Sequence, residues 1–135
     1  FTCTLLIVFK SSFKYRLRYT GSLISPSSKS LFSMYNPLIF FSRNLDKSYE
    51  NEYYKNQLIR SSGSASLNFG EAQGTNTDKD FIFKVGLSVK ELKESRNSLK
   101  ILNYIKEGDK NVRDLLLNEV EELIAISSKM IINKK

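Results

Sequence analysis

Apolar positions recur along most of this chain with the period of a helix. Between residues 78 and 105, Phe81, Val85, Leu92, Leu99 and Leu102 mark one face, with Val89 beside it. Those spacings follow the 3.6-residue turn and predict a helix from Asp78 to about Ile105. Val112, Leu116, Val120, Leu123 and Ile124 repeat the pattern, with Ile131 beyond them, and predict another helix from about Lys110 to Ile132. Gly108-Asp109 separates the two. Upstream, residues 74–78 have turn composition, with Thr77 as the N-cap of the following helix and Asp80 as an acidic first-turn partner. A helix from about Glu50 to Gln73 precedes that turn, and a short apolar helix from Leu38 to about Leu45 precedes the loop Asp46-Lys47-Ser48. Asn36-Pro37 suits the start of this short helix, because the missing N–H of proline costs nothing in a first turn. No segment alternates with the period of two that a half-buried strand requires.

The three longer helices are each about 35–42 Å long at 1.5 Å per residue. Short loops force them to run antiparallel, so the expected fold is all-α, an antiparallel up-down four-helix bundle with a short or irregular first helix. One short member leaves apolar surface uncovered. Either the chain self-associates or part of residues 20–33 extends that helix, as far as Pro26 permits.

Length and charge refine this picture. A chain of 135 residues suits one domain. Its 21 Lys and Arg against 14 Asp and Glu give +7, which brings an anionic partner into consideration. The excess is uneven. Residues 1–33 carry Lys10, Lys14, Arg16, Arg18 and Lys29 with no acid, whereas residues 34–135 are only +2. The chain therefore divides into a basic N-terminal segment, 1–33, and a four-helix bundle domain, 34–135. Three readings of the segment stay open: in-frame upstream sequence with Met34 as the true start, a poorly ordered tail, or an organelle-targeting peptide. Its apolar run, Leu5 to Phe9, is too short to span a membrane and has no basic stretch before it to make a secretory signal.

The chain has no His and one Cys, Cys3. Ser-His and Cys-His dyads, His-containing zinc sites and an intrachain disulfide are thereby excluded. A single unpaired Cys fits a reducing cytoplasm. No cofactor or metal is expected.

The most informative stretch lies in the second helix. Gln57, Arg60, Ser64, Asn68 and Glu71 are spaced 3, 4, 4 and 3 residues apart and form one polar stripe. Around them lie Ser61, Ser62, Gly63, Ala65, Ser66, Gly70 and Ala72. Gly and Ser weaken a helix by several tenths to about 1 kcal/mol each, a cost that implies close approach of another backbone. The stripe reads either as hydrogen bonds and ion pairs within the bundle or between subunits, or as a surface that presents Arg60 and Asn68 to phosphates or bases. Glu71 with Glu91 or Glu94 is the one carboxylate pair to weigh for acid-base chemistry, and no His stands near to complete a di-iron motif.

Lys90, Lys93, Arg96 and Lys100 form a basic ridge on the third helix, beside Glu91 and Glu94. The ridge reads either as a mixed charged face on a solvated helix or as phosphate contacts, and on the second reading these residues with Arg60 are the candidate nucleic-acid contacts. Tyr49, Tyr53 and Tyr54 cluster at the start of the second helix, where they either cover the end of the core or stack on bases.

The stripe, followed by Phe81 and by Ser88-Val89-Lys90-Glu91-Leu92, resembles the core signature of the bacterial four helix bundle proteins, found as reading frames within intervening sequences of large-subunit ribosomal RNA genes. That signature runs Gln-Ile-Arg-Arg, small residues, Asn-Ile-Ala-Glu-Gly, Phe, then Ser-Leu-x-Glu-Leu. Here Ile59-Arg60 stands for the Arg pair and Ser66 for a frequent Pro, a change that regularises the helix. The resemblance covers about residues 50–133. It implies an antiparallel bundle that assembles as a homopentamer, with relatives that serve retroelement reverse transcriptases and nucleic acid.

The expected function is that of a non-catalytic oligomeric bundle, a scaffold or accessory that binds RNA, DNA, a reverse-transcriptase-like protein or another protein partner, away from membranes. The alternative is a structural homo-oligomer with no nucleic-acid role. An enzyme is the remote third class.

Overall fold

A computed structural model describes residues 26–135. Four helices follow one another: α1 (Pro26–Arg43), α2 (Tyr49–Gln73), α3 (Asp78–Tyr104) and α4 (Lys110–Lys134). No strand occurs among the described residues. The connections are four or five residues long, so each helix packs antiparallel on the last. Helix α1 packs on α2 and α4, α2 on α3, and α3 on α4, closing an up-down four-helix bundle.

Each boundary has a local cause. Ser48, Thr77 and Asp109 cap α2, α3 and α4, their side-chain oxygens accepting from the backbone N–H of Asn51, Asp80 and Val112. The Thr77 hydroxyl also donates to Asp80 Oδ2 at 2.6 Å, so that turn closes from both sides. The expected face of α3 is largely in the core: Val85, Val89, Leu92, Leu99 and Leu102 are buried, while Phe81 lies half-buried at the margin. Val112, Leu116, Val120, Leu123 and Ile124 do the same for α4, and Ile131 packs at its edge.

The first helix departs from the sequence reading. Over the described residues it spans Pro26–Arg43 and runs through Pro37. Of the two alternatives for the uncovered surface, extension of this helix into residues 20–33 is seen, from Pro26 onward. Leu31, Met34, Leu38 and Phe41, spaced 3, 4 and 3 apart, are all buried, and that stripe carries the helix past a proline that has no N–H for the turn before it. The helix thus includes residues ahead of Met34. The described part of α1 is 18 residues long, against 25 to 27 for the other helices. The apolar run Leu5 to Phe9, Cys3 and the basic groups at 10–18 lie outside the described residues.

The α1–α2 and α3–α4 connections meet at one end of the bundle. Asn51, almost fully buried, donates to the Asp46 carbonyl at 3.1 Å and to Glu107 Oε2 at 2.8 Å. Arg113, also buried, donates to the Gly108 carbonyl at 2.6 Å, to that of Glu107 and to Asn103 Oδ1 at 3.2 Å. It thereby occupies acceptors that a helix end would otherwise leave open. Gly108 has φ +73° and lies so close to Phe41 that a Cβ there would stand 2.6 Å from its ring. Glycine is required on both counts.

Candidate nucleic-acid interface

Helices α2 and α3 make the most extensive helix contact in the bundle, through small side chains. The hydroxyls of Ser61 and Ser95 meet at 2.6 Å, and Ser88 donates to the backbone carbonyl of Ala65 at 2.8 Å. A hydroxyl on one helix reaching the main chain of the other is the close approach that the Gly- and Ser-rich stretch implies. Ser62 and Ser66 donate to the carbonyls of Leu58 and Ser62 on their own helix at 2.6 and 3.1 Å, and the Ser66 hydroxyl also reaches the Leu31 carbonyl of α1 at 3.5 Å. Buried hydroxyls along this seam thus find acceptors.

The polar stripe runs along the rim of the seam as three separate groups. Gln57 accepts from Arg60 at 3.1 Å, and the Arg60 guanidinium bonds Glu94 and lies 3.5 Å from Glu91 on α3. Asn68 donates to the Ser64 carbonyl at 2.9 Å and to its hydroxyl at 3.3 Å, within α2. Glu71 pairs with Lys84 of α3. Eleven residues, about 16 Å of helix, separate Glu71 from Arg60. Glu71 therefore is not brought beside the Glu91 and Glu94 that Arg60 holds. The Arg60–Glu94 and Glu71–Lys84 pairs are open to solvent and contribute about 0–1 kcal/mol each, while Glu91 is only 17% exposed. The seam beneath them, not the stripe, holds the helices together.

Arg60 does something else. It draws the two acids of the middle of α3 toward α2, and they leave the outward face of α3 to Lys90 and Lys93. Both lysines are exposed and make no ion pair among the described residues. Arg96 turns toward α4, where Glu121 Oε2 accepts at 3.4 Å, and its side chain is only 24% exposed. Lys100 keeps 58% exposure with Glu121 Oε1 at 3.5 Å. The ridge is thus split, with three lysines outward and one arginine on the flank.

The outward arc holds residues that the sequence reading left out. At 100° per residue, Lys79, Phe83, Lys90, Lys93, Asn97, Lys100 and Tyr104 fall within about 100° of one another. All seven are exposed, Phe83 by 62% and Tyr104 by 88%. The signal in the sequence is the same helical spacing, extended one turn past Lys100 to Tyr104 and two to three turns ahead of Lys90 to Phe83 and Lys79.

The tyrosines at the start of α2 divide. Tyr54 packs against the core and meets Tyr53 edge-on at 5.2 Å, while Tyr53 and Tyr49 face solvent. Nearby, a hydrogen bond from Lys55 holds the Glu52 carboxyl below its ordinary range. Among the described residues no three His, Cys, Asp or Glu side chains group as metal ligands. None of the described helices is long and apolar enough to cross a membrane.

Comparison with known proteins places this architecture. The model of the 23S rRNA-intervening sequence protein family matches residues 30–129, about three quarters of the chain. The chain belongs to that family. Among solved structures, it is similar to a protein of unknown function from the S23 ribosomal protein family of Bacteroides thetaiotaomicron VPI-5482. The TM-score is 0.54 at 21% identity, over 77% of this chain and 90% of that one, a likeness of fold. No curated protein matches. The family match begins at residue 30, within α1, so the intervening-sequence protein bundle includes helical residues ahead of Met34.

Proposed function

We propose that this intervening-sequence family protein is a non-catalytic accessory that binds nucleic acid through the outer face of α3. The observation that carries the reading is the separation of charge on that helix. Glu91 and Glu94 are engaged by Arg60, and Lys79, Lys90, Lys93 and Lys100 stand outward along one arc. Lys90 and Lys93, at its centre, have no acid paired to them among the described residues, which is the electrostatic footprint for phosphates, where neutralised charge drives affinity through counterion release. Full-length protein titrated into a labelled 20-nucleotide RNA gives the test. Binding at 50 mM salt should fall at least tenfold by 200 mM. Absence of binding at 50 mM would overturn the reading.

We further propose that the working form is a homo-oligomer, the homopentamer that the resemblance implies. Phe40, Leu67, Leu115 and Ile132 support it, since all four are 43–68% exposed on outer faces. The same residues favour a second reading, a purely structural oligomer without a nucleic-acid role. Light scattering on a sizing column is expected to give a mass near five times 15.5 kDa. A monomer mass would contradict the assembly, and an oligomer that retains no RNA would favour the structural reading.

A further inference from the structure

We infer that the α3 face is built for single-stranded rather than duplex nucleic acid, with Phe83 and Tyr104 as stacking platforms at its two ends. This rests on the nucleic-acid reading above and adds the class of ligand. Phe83 is 62% and Tyr104 88% exposed, and both fall on the arc that carries Lys90, Lys93 and Lys100. Both rings thus present most of their surface to solvent on the side of α3 that carries the lysines, where an unpaired base can reach them. Twenty-one residues separate them, about 31 Å along the helix, with the three lysines and Asn97 between. That span takes several nucleotides of an extended strand, the sugar-phosphate chain following the lysines while unpaired bases lie on the rings.

A duplex uses this surface poorly. Its bases are stacked on one another and offer no free face to an aromatic ring, so only the lysines would count. Stacking contributes about 1–3 kcal/mol per base by alanine substitution and tolerates any sequence. Two platforms therefore outweigh the phosphate contacts that the two forms share, and the preference should be large. Asn97, exposed at the middle of the arc, offers both a donor and an acceptor to a base edge.

The test uses the full chain with a labelled 20-nucleotide oligo(U) and with the same strand annealed to oligo(A), both at 50 mM salt. Single-strand binding at least tenfold tighter than duplex binding is expected. F83A and Y104A should each weaken single-strand binding by about 5- to 150-fold, the range that 1–3 kcal/mol corresponds to. They should leave duplex binding unchanged, and Y104F should restore the wild-type value. Because the chain has no Trp, Y104W adds a sole indole whose fluorescence should be quenched by oligo(U) and not by the duplex. Equal or tighter duplex binding, or alanine variants that bind as the wild type, overturns this inference and leaves the proposed function standing. Loss of binding to both probes in the wild type overturns the proposed function itself.

Discussion

Gly108 shows how much a single residue decides in this bundle. It turns the chain out of α3 with a positive φ and sits against Phe41 and Leu45, which join the end of α1 to the α3–α4 connection. A methyl group there meets both a backbone penalty and an overlap. G108A is expected to lower unfolding free energy by roughly 2–4 kcal/mol in urea titration. A loss below about 0.5 kcal/mol would show that the two connections are not packed as described. Arg60 makes a different case. The pair with Glu94 is open to solvent, but Glu91 is only 17% exposed and would lose its counter-charge, so R60A should cost about 1–3 kcal/mol of stability. It should also weaken RNA binding severalfold, because Glu91 and Glu94 are then no longer neutralised beside Lys90 and Lys93. Anisotropy titration beside a urea curve separates the two effects, and unchanged RNA affinity would remove Arg60 from the account.

At the scale of elements, the α2–α3 seam carries the argument. Small residues bring the two backbones close enough for Ser88 to bond the Ala65 carbonyl. S88A, which only removes that bond, should cost about 1 kcal/mol. S88L, which forces the helices apart, should cost an additional 1–3 kcal/mol. Equal losses in thermal or urea unfolding would mean that the helices do not approach closely there. This seam was legible in the sequence, because a helix so rich in Gly and Ser needs a reason to be one. The caps were legible as well, since Thr77 and Asp109 stand directly before their apolar periods. The course of α1 was not. Pro37 is a strong local start signal, and only the burial of Leu31 and Met34 against other helices overrides it. Propensity sees neighbours in sequence, and those contacts lie across the bundle.

The whole molecule settles which charges face outward. The sequence placed Lys90, Lys93, Arg96 and Lys100 on one ridge, yet only the position of α4 turns Arg96 inward to Glu121. Phe83 and Tyr104 were left out of the sequence reading for the same reason. Their exposure follows from no described helix lying over that side of α3. The central claim is that this face neutralises phosphates, and the dependence of RNA affinity on salt tests it most directly. For wild type and for the K90Q/K93Q double variant, log affinity is plotted against log salt between about 50 and 200 mM. Each phosphate contact on a single strand contributes about −0.7 to the slope. The double variant should lose about 1.4 from the slope and at least tenfold in affinity at 50 mM. Slopes and affinities that coincide would place the binding charges elsewhere on the chain and contradict the account.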